Sequence, residues 1–246
     1  MNNIEHIGKY FLMLKQVFSR PERWRIFREN VLREVDDLGL KSLGIVVFIS
    51  FFIGGVVAIQ TGMNVDSPFI PKSLIGFATK RSVILEFSPT FISVILAGKV
   101  GSFITSSIGT MRVTEQIDAL EIMGVNSLSY LVLPKIVAVL FFYPFLILIS
   151  MFFGILGGFY GGQVTGLFTG AQFIEGVQLS FNPYLLRYAM IKTLVFAFCI
   201  ATIPAYHGYY VKGGALEVGR ASTKAVVWTM VSIIVLNFFL TQALLG

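Results

Sequence analysis

The chain has 246 residues, of which 55% are hydrophobic and only 13% are charged, and its mean hydropathy is +0.80. So few polar side chains cannot cover a water-facing surface, which excludes a soluble globular protein. The formal net charge of +6 does not indicate a nucleic-acid-binding protein, because the positive-inside rule explains where most of the excess lies.

The first 42 residues are predicted to form amphipathic helices at the membrane surface. Apolar residues recur at helical spacing over residues 4–18, and residues 19–22 match a capping box with proline in the first turn. A second apolar stripe over residues 24–38 is flanked by arginines, which suit anionic lipid phosphates. A helix packed on a soluble partner is the alternative.

Residues 43–246 are predicted to cross the membrane five times, which makes the fold class an all-α membrane protein. The uncharged interval between Lys41 and Asp66 is long enough for one span of about 20 residues. Further spans are predicted over residues 83–111, from Lys135 to about Gly162, and over residues 194–211 and 225–245. With the N-terminus inside, thirteen basic residues lie in inner segments and five in outer ones, which predicts an external C-terminus.

A ridge of glycines marks the third predicted span. Gly154, Gly158 and Gly162 recur every four residues, and Gly157 and Gly161 lie one position before the last two of them. In lipid, such a ridge lets two helices approach closely. The spacing fits packing within one subunit as well as a dimer contact.

Two ionisable residues, Glu86 and Lys99, interrupt the second predicted span. An isolated charge at the membrane centre costs about 3 kcal/mol or more, so each should face a cavity, a partner or the interface. Thirteen residues of helix separate them by roughly 20 Å, too far for a direct ion pair. Glu86 is predicted near the outer surface, whereas Lys99 is deeper and could snorkel, bind a carbonyl or attract a lipid phosphate.

The polar segment over residues 114–124 is predicted to be a short helix between two spans. Thr114 is placed to cap it, Glu115 to lie in its first turn and Gly124 to end it. Three acids share one face, and three apolar residues share another: Glu115, Asp118 and Glu121, and Ile117, Leu120 and Met123. Such a helix suits docking in the groove of a soluble partner, although an ordinary surface helix has the same pattern.

Motifs of enzymatic chemistry are absent from the sequence. It contains no G-x-x-x-x-G-K-[ST] loop, no G-x-S-x-G elbow and no H-E-x-x-H pair. The two histidines lie near opposite ends of the chain, and the single Cys199 allows no disulfide framework. The chain is therefore predicted to be non-catalytic, without metal or cofactor, and any ATP must be bound by a separate chain.

Four segments in order resemble a known family. Residues 85–89 read LEFSP, residues 97–102 read AGKVGS, residues 109–120 read GTMRVTEQIDAL, and residues 218–227 read VGRASTKAVV. They resemble the motifs of MlaE-like permeases, the membrane subunits of ABC-type phospholipid transporters that act with MCE-domain lipid-binding proteins. The third segment matches the family signature nearly letter for letter.

The resemblance implies a homodimer with a cytoplasmic ABC ATPase on each subunit and an MCE-domain protein outside, and it leaves open a STAS-domain regulator. It also implies a phospholipid pocket between the subunits and a coupling helix that receives the ATPase. By position, the pocket residues are Ala58, Thr61, Val65, Phe69, Glu86 and Lys99, and the coupling residues are Arg112, Thr114, Glu115, Gln116, Asp118 and Glu121.

Three positions depart from the family pattern. Leu85 stands where the family has arginine, Lys99 replaces the arginine of A-G-R, and Ser107 replaces an acid. Lysine keeps the charge but loses the bidentate fork that grips phosphate. These departures affect the expected headgroup chemistry more than the fold.

The expected function is that of a transporter permease in the inner membrane of a double-membraned bacterium, with a cytoplasmic N-terminus and a periplasmic C-terminus. It would move phospholipid to maintain outer-membrane lipid asymmetry or to supply intermembrane lipid traffic. An ion-coupled secondary carrier using Glu86 and Lys99 is one alternative, and a passive membrane scaffold is another.

Overall fold

The structure is a computed structural model that describes residues 3–18, 24–65, 71–180 and 182–245. All secondary structure in these ranges is helical, which confirms the predicted all-α class. The predicted capping box at residues 19–22 and the predicted pocket residue Phe69 lie outside the described residues.

The helices follow one another through short connections. They are α1 (Asn3–Val17), α2 (Trp24–Glu34), α3 (Lys41–Asn64), α4 (Ser73–Ser82), α5 (Ile92–Leu96), α6 (Ser102–Val113), α7 (Gln116–Ile122), α8 (Ser127–Thr165), α9 (Gly170–Gln178), α10 (Pro183–Tyr209) and α11 (Ala215–Leu245). Three π-helical segments, Val35–Leu40, Val83–Phe91 and Ala97–Gly101, join α2 to α3, α4 to α5 and α5 to α6.

Five helical runs among the described residues are long and apolar enough to cross a membrane, which confirms the predicted number of spans. They are Trp24–Asn64, Ser73–Val113, Ser127–Thr165, Pro183–Tyr209 and Ala215–Leu244. The fourth run begins at Pro183, before the predicted start at residue 194, because the helix includes the charged residues Arg187 and Lys192.

The first run continues through the predicted boundary at residue 42, so α2 is continuous with the first span. Helix α1 has apolar side chains on two faces. Met13 and Val17 are fully buried, whereas Phe11 and Leu12 are more than half exposed. This two-faced surface fits a helix at the membrane interface, and the interfacial role of residues 1–42 stays a prediction.

The chain divides into two compact units. One comprises Met1–Lys41, Val94–Phe142 and Val195–Phe238, and the other comprises Ser42–Ser93, Tyr143–Leu194 and Phe239–Gly246. In the first unit, Tyr10 Oη lies 2.7 Å from Thr202 Oγ1 and joins α1 to α10. There too, the buried Lys135 ammonium donates to Glu34 Oε1 at 2.5 Å and joins α8 to α2.

In the second unit, the glycine ridge packs α8 directly on α3. A Cβ atom added at Gly54 would lie 1.8 Å from the carbonyl oxygen of Gly154, and one added at Gly157 would lie 1.8 Å from that of Phe51. Only glycine permits such contact between helix backbones. Gly154 and Gly157 of the ridge therefore contact α3 within one subunit.

Gly158 and Gly162 of α8 face aromatic side chains of the same unit. A Cβ atom at Gly162 would lie 1.8 Å from the Phe168 ring, and one at Gly158 would lie 3.0 Å from the Phe173 ring. These glycines of the ridge thus pack inside the subunit, as the first of the two interpretations predicts.

Candidate functional site

Helix α7 has the end that the sequence predicts but a different beginning. Gly124 has a φ of +77°. Its N–H donates to the Glu121 carbonyl and the Val125 N–H donates to the Leu120 carbonyl, both at 3.0 Å. This is the Schellman arrangement, which confirms Gly124 as the residue that ends the helix.

The predicted cap by Thr114 is wrong. Glu115 occupies the N-cap position in the left-handed conformation, with a φ of 60°, and no side chain caps the helix. Thr114 instead donates its hydroxyl to the Thr110 carbonyl at 2.9 Å. The left-handed residue turns the chain sharply, so the Thr114 side chain belongs to the end of α6 and not to the start of α7.

The three acids of α7 do not act as one stripe. Asp118 pairs with Arg112, Nη1 to Oδ1 at 2.7 Å, and Glu121 accepts hydrogen bonds at 2.8 Å from both Tyr209 and Ser127. Glu115 is exposed. Two of the predicted coupling acids therefore hold α7 to its own chain, and the third is left for contact with another molecule.

Apolar side chains also project from α7. Ile122 is 88% exposed and Met123 is 68% exposed, whereas Ile117 is fully buried. The predicted apolar face is thus divided, because Ile117 anchors the helix and Met123 points outward. Ile122 and Met123, with the exposed Glu115 and Gln116, form a small surface that is partly apolar and partly polar, of the kind that partner proteins cover.

The hydrogen bonds from Tyr209 and, secondarily, Ser127 lower the pKa of the Glu121 carboxyl below its ordinary value of 4.5. They therefore stabilise the folded state above the unfolded pKa, and this contribution is lost as the pH falls through the folded pKa. We expect the amides of α7 to exchange more slowly in the wild type than in Glu121→Gln at pH 7, with the difference closing only as the pH falls below that ordinary value. Hydrogen-exchange mass spectrometry measures this, and equal exchange at pH 7 would contradict it.

A second cluster of polar residues surrounds Lys192 in α10. Its side chain is fully buried and donates to Glu86 Oε1 and to the Tyr188 hydroxyl, both at 2.9 Å. Thr241 Oγ1 of α11 lies 3.4 Å from the same ammonium. Glu86 is therefore held in an ion pair between helices, and its side chain remains 38% exposed.

Lys192 is the residue that sequence reasoning missed. It precedes the span predicted over residues 194–211, so the sequence pattern gives no partner for Glu86 on that helix. The available signal was the spacing of Tyr188 and Lys192, which places both on one helical face. Lys192 Nζ also lies 3.4 Å from the Leu85 carbonyl, in the π-helical segment where Pro89 lacks an N–H to donate.

The other predicted pocket residues lie in different surroundings. Ala58 is fully buried in a cluster with Ile75, Phe168 and Phe173, and Val65 packs against that cluster. Thr61 donates its hydroxyl to the Val57 carbonyl at 2.7 Å. The structure therefore brings Ala58 and Val65 to one cluster and places Glu86 in another.

Lys99 has the carbonyl partner that was one of its three predicted options. Its ammonium donates to the main-chain carbonyl of Lys41, the residue that follows the first π-helical segment. Lys99 itself lies in the third π-helical segment. This contact joins the first and second helical runs, and a role for Lys99 in lipid binding stays a prediction.

Among the described residues, no three His, Cys, Asp or Glu side chains lie close enough to hold a metal ion. The arrangement offers hydrogen-bonding and docking groups, with Glu115, Gln116, Ile122 and Met123 exposed on α7 and Glu86 partly exposed beside Lys192. Such groups suit binding and movement of another molecule.

Comparison with known proteins gives one consistent family. A sequence model described as "Permease MlaE" matches residues 31–243. A "Probable ABC transporter permease protein" of Rickettsia bellii is 33% identical over 97% of this chain and 92% of its own length. One from Synechocystis is 34% identical over 94% of this chain and 88% of its own. "Protein TRIGALACTOSYLDIACYLGLYCEROL 1, chloroplastic" of Arabidopsis thaliana is 31% identical over 92% of this chain and 65% of its own.

Proposed function

This chain belongs to the MlaE permease family, and from that premise we propose that it is the membrane subunit of an ABC-type phospholipid transporter. The observation that carries the proposal is α7, a seven-residue helix between two membrane-spanning runs. Asp118 and Glu121 hold the helix to the rest of the chain through Arg112 and Tyr209. Ile122 and Met123 of the same helix are exposed. This is what a helix needs in order to pass force from a soluble motor to a membrane bundle.

The proposed motor is a separate cytoplasmic ATPase. This chain contains no phosphate-binding loop of its own, and its relatives are named as ABC transporter permeases. The exposed Ile122 and Met123 would enter an apolar groove of the ATPase, with Glu115 and Gln116 at the polar rim. An apolar centre with a polar rim is the usual anatomy of a protein interface.

The proposed cargo is a phospholipid. The name of the Arabidopsis relative is that of a diacylglycerol lipid, and the spans of this chain present apolar surface that suits acyl chains. Ala58, Thr61, Val65 and Phe69, with Glu86 and Lys99, remain the proposed pocket residues. The Glu86–Lys192 pair would meet the polar headgroup, since Glu86 is partly exposed.

The proposed assembly is a homodimer in a bacterial inner membrane, with the N-terminus in the cytoplasm and the C-terminus in the periplasm. An external MCE-domain protein would receive or deliver the lipid, with a STAS-domain regulator as a further possible partner. The glycine ridge of α8 packs within the subunit, which supports a dimer contact on other helix faces. The transport would serve outer-membrane lipid asymmetry or intermembrane lipid traffic.

In the proposed mechanism, closure of the ATPase subunits around ATP pushes on α7. The push would tilt the first and second spans and change the pocket around Val65, Phe69 and Glu86. The lipid could then pass between the permease and the MCE-domain protein. The chemical step of ATP hydrolysis stays on the partner chain.

The docking surface is tested by charge reversal at its exposed residues. We expect Glu115→Lys combined with Ile122→Arg to lower co-purification of the ATPase about tenfold or more, because interface anchors carry most of the binding energy. Glu175→Lys, which reverses another exposed acid on α9, is the matched control and should retain the ATPase. Asp118 is unsuitable for this test, since its change would break the ion pair with Arg112.

The same preparations distinguish the alternatives when ATP-dependent phospholipid transfer is measured in proteoliposomes. If the double variant retains as much ATPase as the wild type, α7 is not the docking site. Flux driven by an ion gradient without the ATPase would establish the carrier instead. A complex that retains its partner proteins but moves no lipid would establish the passive membrane scaffold.

A further inference from the structure

Three oxygen atoms from three helices meet where α7 joins the bundle. Tyr209 Oη and Ser127 Oγ each lie 2.8 Å from Glu121 Oε1, and the two hydroxyl oxygens lie 2.9 Å apart. Tyr209 is the last residue of α10 and Ser127 is the first residue of α8. Both are at least nine-tenths buried. This oxygen triangle therefore joins α7 to the ends of two membrane-spanning helices.

The three contacts of the triangle share only two hydroxyl protons. A carboxylate is a stronger acceptor than a hydroxyl, so both protons are directed at Glu121, and each bond is charge-assisted. Removing the hydroxyl of Tyr209 therefore breaks the contact between α7 and α10 and leaves that between α7 and α8. Removing the hydroxyl of Ser127 does the reverse.

The surroundings of Tyr209 leave it little freedom to move separately from its neighbours. The Arg112 guanidinium, which pairs with Asp118 of α7, lies 5.7 Å from the centre of the Tyr209 ring. The preceding Gly208 packs so closely on α6 that an added Cβ atom would lie 2.8 Å from the Thr105 carbonyl oxygen. A displacement of α7 would therefore reach the end of α10 most directly through the hydrogen bond from Tyr209 to Glu121.

We propose that the Tyr209–Glu121 contact transmits movement of α7 to α10, and that Tyr209 is therefore a positioning residue for transport. Its hydroxyl acts through Glu121 of α7, to which it donates. Helix α10 is continuous from Pro183 to Tyr209 and also carries Lys192, the partner of Glu86. The inference deepens the proposed function and rests on it.

The test compares three variants in the full complex with its ATPase, reconstituted in proteoliposomes of the host's phospholipids. Tyr209→Phe keeps the ring and removes the hydroxyl. Ser127→Ala removes the other donor to Glu121. Tyr210→Phe removes the hydroxyl of the adjacent ring, which is 41% exposed. The readouts are ATPase co-purification, ATP hydrolysis, and phospholipid transferred per ATP hydrolysed.

For Tyr209→Phe we expect normal co-purification and retained ATP hydrolysis, but about tenfold less phospholipid transferred per ATP, the factor expected for losing a hydrogen bond to a charged group. Ser127→Ala should weaken α7 to a similar degree yet stay within about twofold of the wild type, because the α7–α10 contact survives. Tyr210→Phe should match the wild type. This pattern separates transmission of movement from local stability.

Three results would overturn the inference alone. The first is a Tyr209→Phe complex that transfers as much lipid per ATP as the wild type, and the second is equal loss in Tyr209→Phe and Ser127→Ala. Loss of the ATPase from the Tyr209→Phe complex would also overturn it, since the contact would then only shape the docking surface. A wild-type chain that neither retains an ATPase nor moves lipid would instead contradict the proposed function.

Discussion

Replacing Gly54 with alanine is expected to destabilise the chain by about 3 kcal/mol or more, the upper part of the range for overpacked cores. The added methyl group would lie 1.8 Å from the Gly154 carbonyl oxygen, which is backbone and cannot rotate away. Helices α3 and α8 would have to separate. Thermal unfolding in detergent should show a fall of about 10 °C in the midpoint.

The control for this prediction lies in the same helix. Gly44 has nothing within 4 Å of the position of an added Cβ atom. Gly44→Ala should be neutral or slightly stabilising, because alanine favours helix more than glycine does. If the two variants unfold at the same temperature, the close crossing of α3 and α8 is absent.

Replacing Lys192 with methionine is expected to cost about 3 kcal/mol, the lower end of the range for removing one partner of a buried ion pair. Glu86 would keep Thr90 and Tyr188 as donors but lose its counter-charge. Its side chain is 38% exposed, so water would compensate part of the loss. The free energy of unfolding, measured by denaturant titration in detergent, gives the cost.

A double variant distinguishes the stability lost with the ion pair from the stability lost with the packing of the Lys192 side chain. Glu86→Gln combined with Lys192→Met leaves no uncompensated charge, so it should be more stable than Lys192→Met alone. The coupling energy of the cycle should be about 1–3 kcal/mol. Strict additivity of the two single changes would show that the ion pair contributes nothing to folding.

Elements defined by local chemistry could be predicted from the sequence, whereas their partners could not. Gly124 ends α7 as expected, because a left-handed helix terminus strongly favours glycine. The spans could be located from uncharged intervals of the sequence, because the membrane interior tolerates few charged side chains. The same argument misplaced the start of the fourth span, because Lys192 is charged and yet buried beside Glu86.

Tertiary contacts account for the features that sequence alone left open. The glycine spacing in α8 predicts a close helix crossing but does not identify the other helix, which only the contact of Gly154 with Gly54 shows. The acid spacing in α7 predicts a shared face but not what the acids contact. Asp118 pairs with Arg112 of the preceding helix, and Glu121 accepts from Tyr209, which lies 88 residues further along the chain. The exposed part of the docking surface was therefore smaller than the sequence pattern indicated.

The sequence pattern also does not predict the π-helical segments. Glu86 and Lys99, the two charges within the second span, each lie in such a segment. A widened turn shifts the register of the side chains that follow it, so faces counted at 3.6 residues per turn become inaccurate. This is why Glu86 and Lys99 could be placed along the second span but not assigned to one of its faces.

The most direct test of the central claim is native mass spectrometry of the complex, extracted gently from its own membrane. The account predicts an assembly with two copies of this chain, two copies of an ATPase and bound phospholipid, whose mass also identifies the headgroup. A lone monomer or dimer that carries neither an ATPase nor a specific lipid would contradict it.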